Sequence, residues 1–293
     1  MLVSLAAAVV AALCYGVAAV MQAMAVRAAS RRTARSASRG SAALGTVDPG
    51  LVLDLIGFVA QLIALRRLPL FAVQAIIAAN LAVTAVVAAW LIHLELTLRE
   101  WLAVAGVVIG VGMLGSSAGA QTATGVSYDF KLALILAVAG IALIGVVASR
   151  MRSPAKTPVL GAVAGLGYGV LAVAARVLPG FSVHELIRDP AAYALAAAGV
   201  VSFMLYATAL EDGSVTVATA AVVLAETIPP ALVGIMFLGD DTRPGLRGVA
   251  VLGFSLAVVC AVALARFGET DEEGLTAAQR RVMKAERSPH TAS

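Results

Sequence analysis

Residues 64–97 of this chain read ALRRLPLFAVQAIIAANLAVTAVVAAWLIHLELT. The stretch opens on a short basic turn and continues as an apolar run long enough to cross a lipid bilayer. Three polar side chains, Gln74, Asn80 and Thr84, interrupt that run, which closes on the polar segment HLELT. Residues 209–244 repeat the design as ALEDGSVTVATAAVVLAETIPPALVGIMFLGDDTRP. One unusual helix written twice, half a chain apart, predicts a molecule built from two related halves.

The composition is that of an integral membrane protein. Of the 293 residues, 61% are hydrophobic and 13% are charged, whereas a soluble domain carries about 25% charged residues. The mean hydropathy is +0.96. Much of the excess lies in long uninterrupted apolar runs, which a globular core does not require. We therefore predict an all-α polytopic protein of the cell (cytoplasmic) membrane, with the lipid bilayer as its immediate partner.

The net charge of +4 and the pI near 9.4 come from basic residues in loops and in the tail. The positive-inside rule explains that distribution, so no nucleic-acid partner is expected. The Lys and Arg bias is about two to one in favour of an N-terminus outside and a cytoplasmic C-terminus. Cys14 and Cys260 both fall inside apolar runs, and neither a disulfide framework nor a metal site is predicted.

The apolar runs predict about nine transmembrane helices. Residues 1–118 form a first four-helix repeat, whose first two helices are joined by an Arg- and Ser-rich cytoplasmic loop at 27–50. Residues 119–157 hold a linker and a connecting helix, 158–267 a second four-helix repeat, and 268–293 a polar cytoplasmic tail. The predicted spans are 2–26, 51–65, 70–94, 101–118, 131–149, 159–177, 191–210, 215–238 and 246–265.

The repeat extends beyond the opening helix. CYGVAAV at 14–20 resembles GYGVLAV at 167–173, and alignment of the copies places Asn80 on Glu226. An odd number of spans separates equivalent helices, so the two halves are predicted to have inverted topology. Inverted repeats are typical of secondary transporters, whose substrate site lies near the bilayer midplane between the halves. A duplicated scaffold without transport is the alternative.

The run ALRRLP, a helix with a central polar residue and the segment LREWLAVAGVVIGVGML resemble EamA-type members of the drug/metabolite transporter superfamily. The second half is more similar, through ALEDGS, the helix with Glu226 and two prolines, and FLGDDTRPGLRGVAVLGFSLAVVCAV. The resemblance implies an inverted-repeat transporter of small solutes or metabolites. In the first half, Asn80 and Leu81 replace the family's Glu-Pro pair. Nine spans and an outside N-terminus resemble the NIPA-like branch, which implies transport of magnesium.

Glu226 is the most informative side chain. A carboxylate in the middle of a span is costly unless it is neutralised, paired or in contact with water. Burial favours reversible protonation, so we predict proton coupling through Glu226. A protonated glutamate that bonds to a neighbouring helix is the structural alternative. Pro229 and Pro230 each remove a backbone donor, and we predict a helix break there, with a packing kink as the alternative.

Asn80, the counterpart of Glu226, gives and accepts hydrogen bonds without charge and so suits substrate recognition. The remaining candidates are polar or aromatic residues near the middle of predicted spans: Gln74, Thr219, Gln61, Tyr15 and Tyr168. Helix packing explains the two tyrosines equally well, and Thr219 has the option of bonding back to its own helix. Asp54 is predicted to lie near the inner interface, solvated or paired with an arginine. Glycines at four-residue spacing, Gly106/Gly110 and Gly161/Gly165/Gly169, predict close helix contacts.

No enzyme motif, nucleotide-binding loop or zinc spacing stands in a suitable context, so we predict no enzymatic activity, no cofactor and no metal. The predicted function is secondary transport of a small solute or metabolite by alternating access, with protons as coupling partner; a homodimer is left open. One alternative is a NIPA-like magnesium or divalent-cation transporter, although the spans hold few carboxylates for a hydrated ion. The other is a non-transporting membrane scaffold or lipid-handling subunit.

Overall fold

The computed structural model describes residues 2–35, 49–92, 96–119, 126–151, 155–180, 182–211 and 215–265. Within these ranges the chain is helical and forms no regular strand, which confirms the predicted all-α architecture. Eight helices are long and apolar enough to cross a membrane, and the shorter apolar helix Pro49–Leu65 accompanies them. The chain is therefore a multi-pass membrane protein. The predicted tail at 268–293 lies outside the described residues.

The helices in chain order are α1 (Leu2–Arg35), α2 (Pro49–Leu65), α3 (Leu70–Ala78), α4 (Asn80–Ile92), α5 (Leu98–Ser117), α6 (Tyr128–Ser149), α7 (Lys156–Val177), α8 (Val183–Arg188), α9 (Pro190–Glu211), α10 (Val215–Phe237) and α11 (Arg247–Ala265). The loop predicted at 27–50 is too long, because 27–35 continue α1 and α2 begins at Pro49. Alanine and arginine, which dominate 27–35, are strong helix formers even outside an apolar span.

Polar side chains fix where several helices begin. Thr97 caps α5 by accepting the Glu100 N–H, and the Glu100 carboxylate accepts the Thr97 N–H in return, which completes a capping box. Ser127 caps α6 by accepting the Phe130 N–H. α10 ends before Gly239, whose φ of 66° lies in the left-handed region that favours glycine. These caps place each helix end where the apolar run stops.

The span predicted at 70–94 is one membrane-length segment, Leu70–Leu91, with a single interruption at Ala79, where α3 ends and α4 begins. Ala79 lies between them with a ψ of −9°, and its N–H bonds to the Ile76 carbonyl three residues back. This tight turn resembles a 3₁₀ turn and interrupts the α-helical ladder. α1 approaches at the same level, where a Cβ on Gly16 would lie 2.8 Å from the Asn80 carbonyl oxygen.

The helix break predicted at Pro229 and Pro230 is wrong, because α10 is continuous through both. Tertiary contacts accommodate the prolines. The Glu226 carbonyl, which lacks a helical donor because Pro230 has no N–H, accepts a hydrogen bond from Gln74 instead. The Pro230 ring lies against Gly169 of α7, where a Cβ would come within 2.7 Å of the proline Cγ.

The helices pack in two similar groups. α1 packs against α2 and α4, whereas α7 packs against α9 and α10, and α6 lies beside α7 and α9. α3 leaves its own group and packs mainly on α10. The α7–α10 contact depends on glycine: a Cβ at Gly161 or Gly165 would lie within 2.6 Å of a carbonyl oxygen of α10. The predicted close contact at Gly161, Gly165 and Gly169 is therefore confirmed.

A second glycine contact joins α5 to α11. A Cβ at Gly110 would lie 2.7 Å from both the Ala257 nitrogen and the Gly253 carbonyl oxygen, and one at Gly106 would lie 2.4 Å from the Cys260 sulfur. The close packing predicted from Gly106 and Gly110 is confirmed. Because the backbone approach at Gly110 tolerates no added methyl group, this glycine fixes the distance between the two helices.

Candidate functional site

Glu226 occupies the midpoint of α10 and is half-buried. In the part of the chain that the structure describes, its carboxylate has no hydrogen bond and no ion pair. The structural alternative, a glutamate that bonds to a neighbouring helix, therefore has no support in these residues. A carboxylate in this position needs a proton, a cation or water to offset its loss of hydration.

The backbone of Glu226 is held by the other half of the molecule. The Gln74 Nε2 donates to the Glu226 carbonyl oxygen over 2.9 Å, and Gln74 itself is 2% exposed. The Gln74 Oε1 has no hydrogen-bond partner. Gln74 thus links α3 to α10 beside the carboxylate, in a structural role that its sequence position did not suggest.

Tyr15 and Tyr168, the tyrosines at matching repeat positions, are gathered around the same region. Both tyrosines lie close enough to Glu226 and Asp54 for electrostatic interaction with these carboxyl groups. The Tyr15 hydroxyl donates to the Gln61 Oε1 over 2.8 Å, and its ring packs on Gly57 of α2. Residues from α1, α2, α7 and α10 therefore converge here, as the sequence predicted for four of its seven candidates.

Asn80 lies at the start of α4, where the helix approaches α1 next to Tyr15. Its side-chain amide is half-buried and makes no hydrogen bond within the described ranges. Its carbonyl accepts the Thr84 hydroxyl at 2.9 Å, and that hydroxyl lies 3.2 Å from the Gly16 carbonyl. The amide is therefore available for a ligand, while Thr84 is occupied with the backbone.

Thr219 and Asp54 both have partners that the sequence did not identify. Thr219 shares a 2.8 Å hydrogen bond with the Tyr206 hydroxyl of α9, and Tyr206 lies in the neighbourhood of Tyr168. Thr219 is thus connected to the region around Glu226 only indirectly, through Tyr206. Asp54 accepts from the Gln22 amide at 2.7 Å, so a glutamine of α1 contributes to holding this carboxylate.

The sequence missed a buried ion pair between Arg176, at the end of α7, and Asp240, after α10. Their closest charged atoms are 3.5 Å apart, and the two side chains are 3% and 0% exposed. The Arg176 Nη1 also donates to the Leu65 carbonyl at the end of α2 over 2.7 Å. The Asp240 Oδ2 accepts the Leu70 N–H at the start of α3. We call these four groups the helix-end clamp.

The helix-end clamp caps two helices of the first half with side chains of the second. α3 has Pro69 at its N-cap, which offers no side-chain acceptor, and Asp240 supplies one. A carboxylate at a helix N-terminus and a guanidinium at a C-terminus both complement the helix dipole. Burial raises the pKa of the Asp240 carboxyl above its ordinary value, against the Leu70 N–H and Arg176, which lower it.

A cavity of about 630 Å³ lies between α10, α11 and the start of α3, away from the central group. Its walls are apolar, and Ile228, Leu232 and Val251 are also exposed on the surface that a bilayer would cover. Its polar end is made by Asp241, Thr242, Arg247 and Asp240 of the helix-end clamp. None of the seven predicted site residues lines it.

The described ranges contain no group of three or more His, Cys, Asp or Glu side chains that could hold a metal ion. No protein-family model, curated protein or solved structure matches this chain. The likeness to the drug/metabolite transporter superfamily therefore stays a prediction from its motifs.

Proposed function

We propose that this chain is a secondary transporter of the cytoplasmic membrane that moves a small solute or metabolite by alternating access, coupled to protons through Glu226. The observation that carries the proposal is the Glu226 carboxylate, which lies at the midpoint of a span without a partner among the described residues. A group in that position binds and releases a proton as its access to water changes.

The surroundings of Glu226 support the same function. Tyr15, Tyr168 and Asn80 place two hydroxyl groups and a free amide around the region, which suits recognition of a polar solute. The interruption at Ala79 places an irregular backbone turn at this level, as in the discontinuous helices of transporters. We place the N-terminus outside and the C-terminus in the cytoplasm on the basic-residue bias.

Reconstitution into liposomes tests the proposal. Purified protein in vesicles that contain a pH-sensitive dye is exposed to a panel of metabolites and, separately, to Mg²⁺. Proton movement that depends on one solute class supports coupled transport. Magnesium flux without proton movement supports the NIPA-like alternative instead. Absence of any flux across the panel removes the transport proposal.

The apolar cavity between α10 and α11 favours a second candidate, the lipid-handling subunit. Its walls open toward the bilayer surface and its polar end carries both an acidic and a basic side chain. An amphiphile with a polar head and an acyl chain matches that arrangement. The same liposomes, prepared with a fluorescent phospholipid in one leaflet, report lipid movement; equal rates with and without protein exclude it.

A further inference from the structure

We infer that the helix-end clamp is the gate that closes one end of the transport pathway, the end at the Arg66–Leu68 turn. The inference rests on the proposed function and names the residues that control access to Glu226. Three observations support it: the clamp joins the two halves, its ion pair is buried, and the span of α3 and α4 is interrupted at Ala79.

The clamp joins the second half of the molecule to the first. Arg176 and Asp240 belong to α7 and to the loop after α10, whereas Leu65 and Leu70 border the turn between α2 and α3. Arg66 adds a contact in the same direction, because its Nη1 donates to the Pro179 carbonyl at 3.2 Å. Any motion that separates the halves at this end has to break these bonds.

The helix ends that the clamp joins are deeply buried. Leu65, Leu68 and Leu70 are at most 1% exposed, and every residue of α3 is buried. In α4, which continues the same span, most residues are half-buried, and Trp90 and Leu91 near its end are exposed. The first half of this span is therefore enclosed by protein at the clamp, whereas its second half is only partly covered.

α3 is fixed to the second half at two points about one turn apart, through the Leu70 N–H to Asp240 and the Gln74 side chain to the Glu226 carbonyl. α4 packs on α1 of the first half instead. The turn at Ala79 separates these two attachments and is the natural pivot between them. Release of the clamp frees the start of α3, and the same helix carries that change to the backbone beside the Glu226 carboxylate.

The use of a buried ion pair in the clamp suits a gate better than a permanent structural contact. A buried ion pair gives little net stability over apolar side chains, and its best attested use is to select one arrangement among several. Here the closest charged atoms are 3.5 Å apart and make no hydrogen bond with each other, so the pair itself is loosely engaged. The hydrogen bonds from Arg176 to the Leu65 carbonyl and from the Leu70 N–H to Asp240 form only when the two halves are together at this end.

The test measures access directly. Asn80→Cys is introduced with Cys14→Ala and Cys260→Ala, and a membrane-impermeant maleimide is added to right-side-out or inverted vesicles. Arg176→Lys keeps the positive charge, but its single nitrogen cannot reach both the Leu65 carbonyl and Asp240. Asp240→Asn removes the negative charge and keeps an oxygen that accepts the Leu70 N–H. We expect either substitution to raise labelling from the Arg66 side roughly tenfold.

The chain supplies a matched control pair, Arg247 and Asp241. Their closest charged atoms are also 3.5 Å apart, but their side chains are 82% and 63% exposed. Arg247→Gln and Asp241→Asn are expected to leave labelling unchanged. An equal rise in these controls, or no rise in either clamp variant, would overturn the inference. So would misfolding of both clamp variants while the controls fold, since the clamp would then be a permanent structural part.

A charge swap separates the gate from a simple ion pair. Arg176→Asp with Asp240→Arg restores opposite charges but puts an anion at the carbonyl end of α2 and a cation at the N–H end of α3. We therefore expect labelling to stay high in the swapped protein, and a return to the parent rate would contradict helix-end capping. Because labelling needs no solute, a rise without transport removes the proposed function and leaves the gate in place.

Discussion

The side-chain amide of Gln74 in α3 donates a 2.9 Å hydrogen bond to the backbone carbonyl of Glu226 in α10. That carbonyl has no donor within its own helix, because residue 230 is a proline. One contact therefore keeps α10 continuous through two prolines and attaches α3 of the first half to the second half. It does so beside the carboxylate on which the proposed function depends.

Replacing Gln74 by leucine tests this relationship. A buried carbonyl left without a partner costs about 1–3 kcal/mol, so the free energy of unfolding in detergent micelles should fall by that amount. Pro230→Ala restores an N–H to the helix, and in that background Gln74→Leu should cost far less. Costs that simply add in the double variant would show that Gln74 does not serve the carbonyl freed by the proline.

The glycines on α7 predict a sharp positional contrast. A Cβ at Gly165 would lie 2.4 Å from the Val222 carbonyl oxygen, so Gly165→Ala should lower the unfolding free energy by about 1–3 kcal/mol. Gly140 of α6 has no atom within 4 Å of its Cβ position. Gly140→Ala should therefore be neutral or stabilising by up to about 1 kcal/mol. Similar melting temperatures for both variants would contradict the close α7–α10 packing.

The pKa of Asp240 predicts how stability varies with pH. Because burial raises that pKa in the folded protein, the folded state holds the proton more tightly than the unfolded chain does. Stability from this group is fully present below the ordinary carboxyl pKa and is lost as the pH rises from about 4. Asp240→Asn does not titrate at this position. The melting temperature of Asp240→Asn relative to that of the wild type should therefore increase as pH rises. A relative melting temperature that decreases with pH would contradict the raised pKa of Asp240.

The two central polar residues are predicted to have different roles, with Glu226 in coupling and Asn80 in recognition. The double variant Asn80→Glu with Glu226→Asn exchanges the two residues, so that the protein still contains one asparagine and one glutamate at these positions. The carboxylate then lies on α4 against α1, away from the helix that Gln74 fixes. We expect solute-dependent proton movement in liposomes to be lost. Full retention would mean that the asymmetry between the halves has no role.

The parts of the fold that follow from composition and periodicity were predictable. Apolar runs located the spans, and glycines at four-residue spacing located two close helix contacts. Tyr15, Tyr168, Gln61 and Glu226 stand out in the sequence because the repeat and the polar interruptions mark them, and the structure places them near one another. Each of these signals is local, or is repeated within the chain.

Features that depend on distant partners were not predictable. Nothing at Ala79 marks an interruption, since it is neither proline nor glycine, and Pro230 breaks nothing because Gln74 supplies the missing donor. The sequence does not pair Arg176 with Asp240, because each is a charged residue near the end of a different span and the two lie far apart along the chain. Two acidic residues directly after an apolar run, Asp240 and Asp241, were the one available signal, and they do not reveal which helix end is capped.

Glu226→Gln in reconstituted liposomes tests the central claim most directly. The measurement is the proton movement triggered by a solute that the wild-type protein transports, with Glu185→Gln on the exposed helix α8 as a matched control. The account predicts that solute-driven proton movement is abolished in Glu226→Gln and unchanged in Glu185→Gln, while both variants fold. Solute-driven proton movement that persists at the wild-type rate in Glu226→Gln would contradict it.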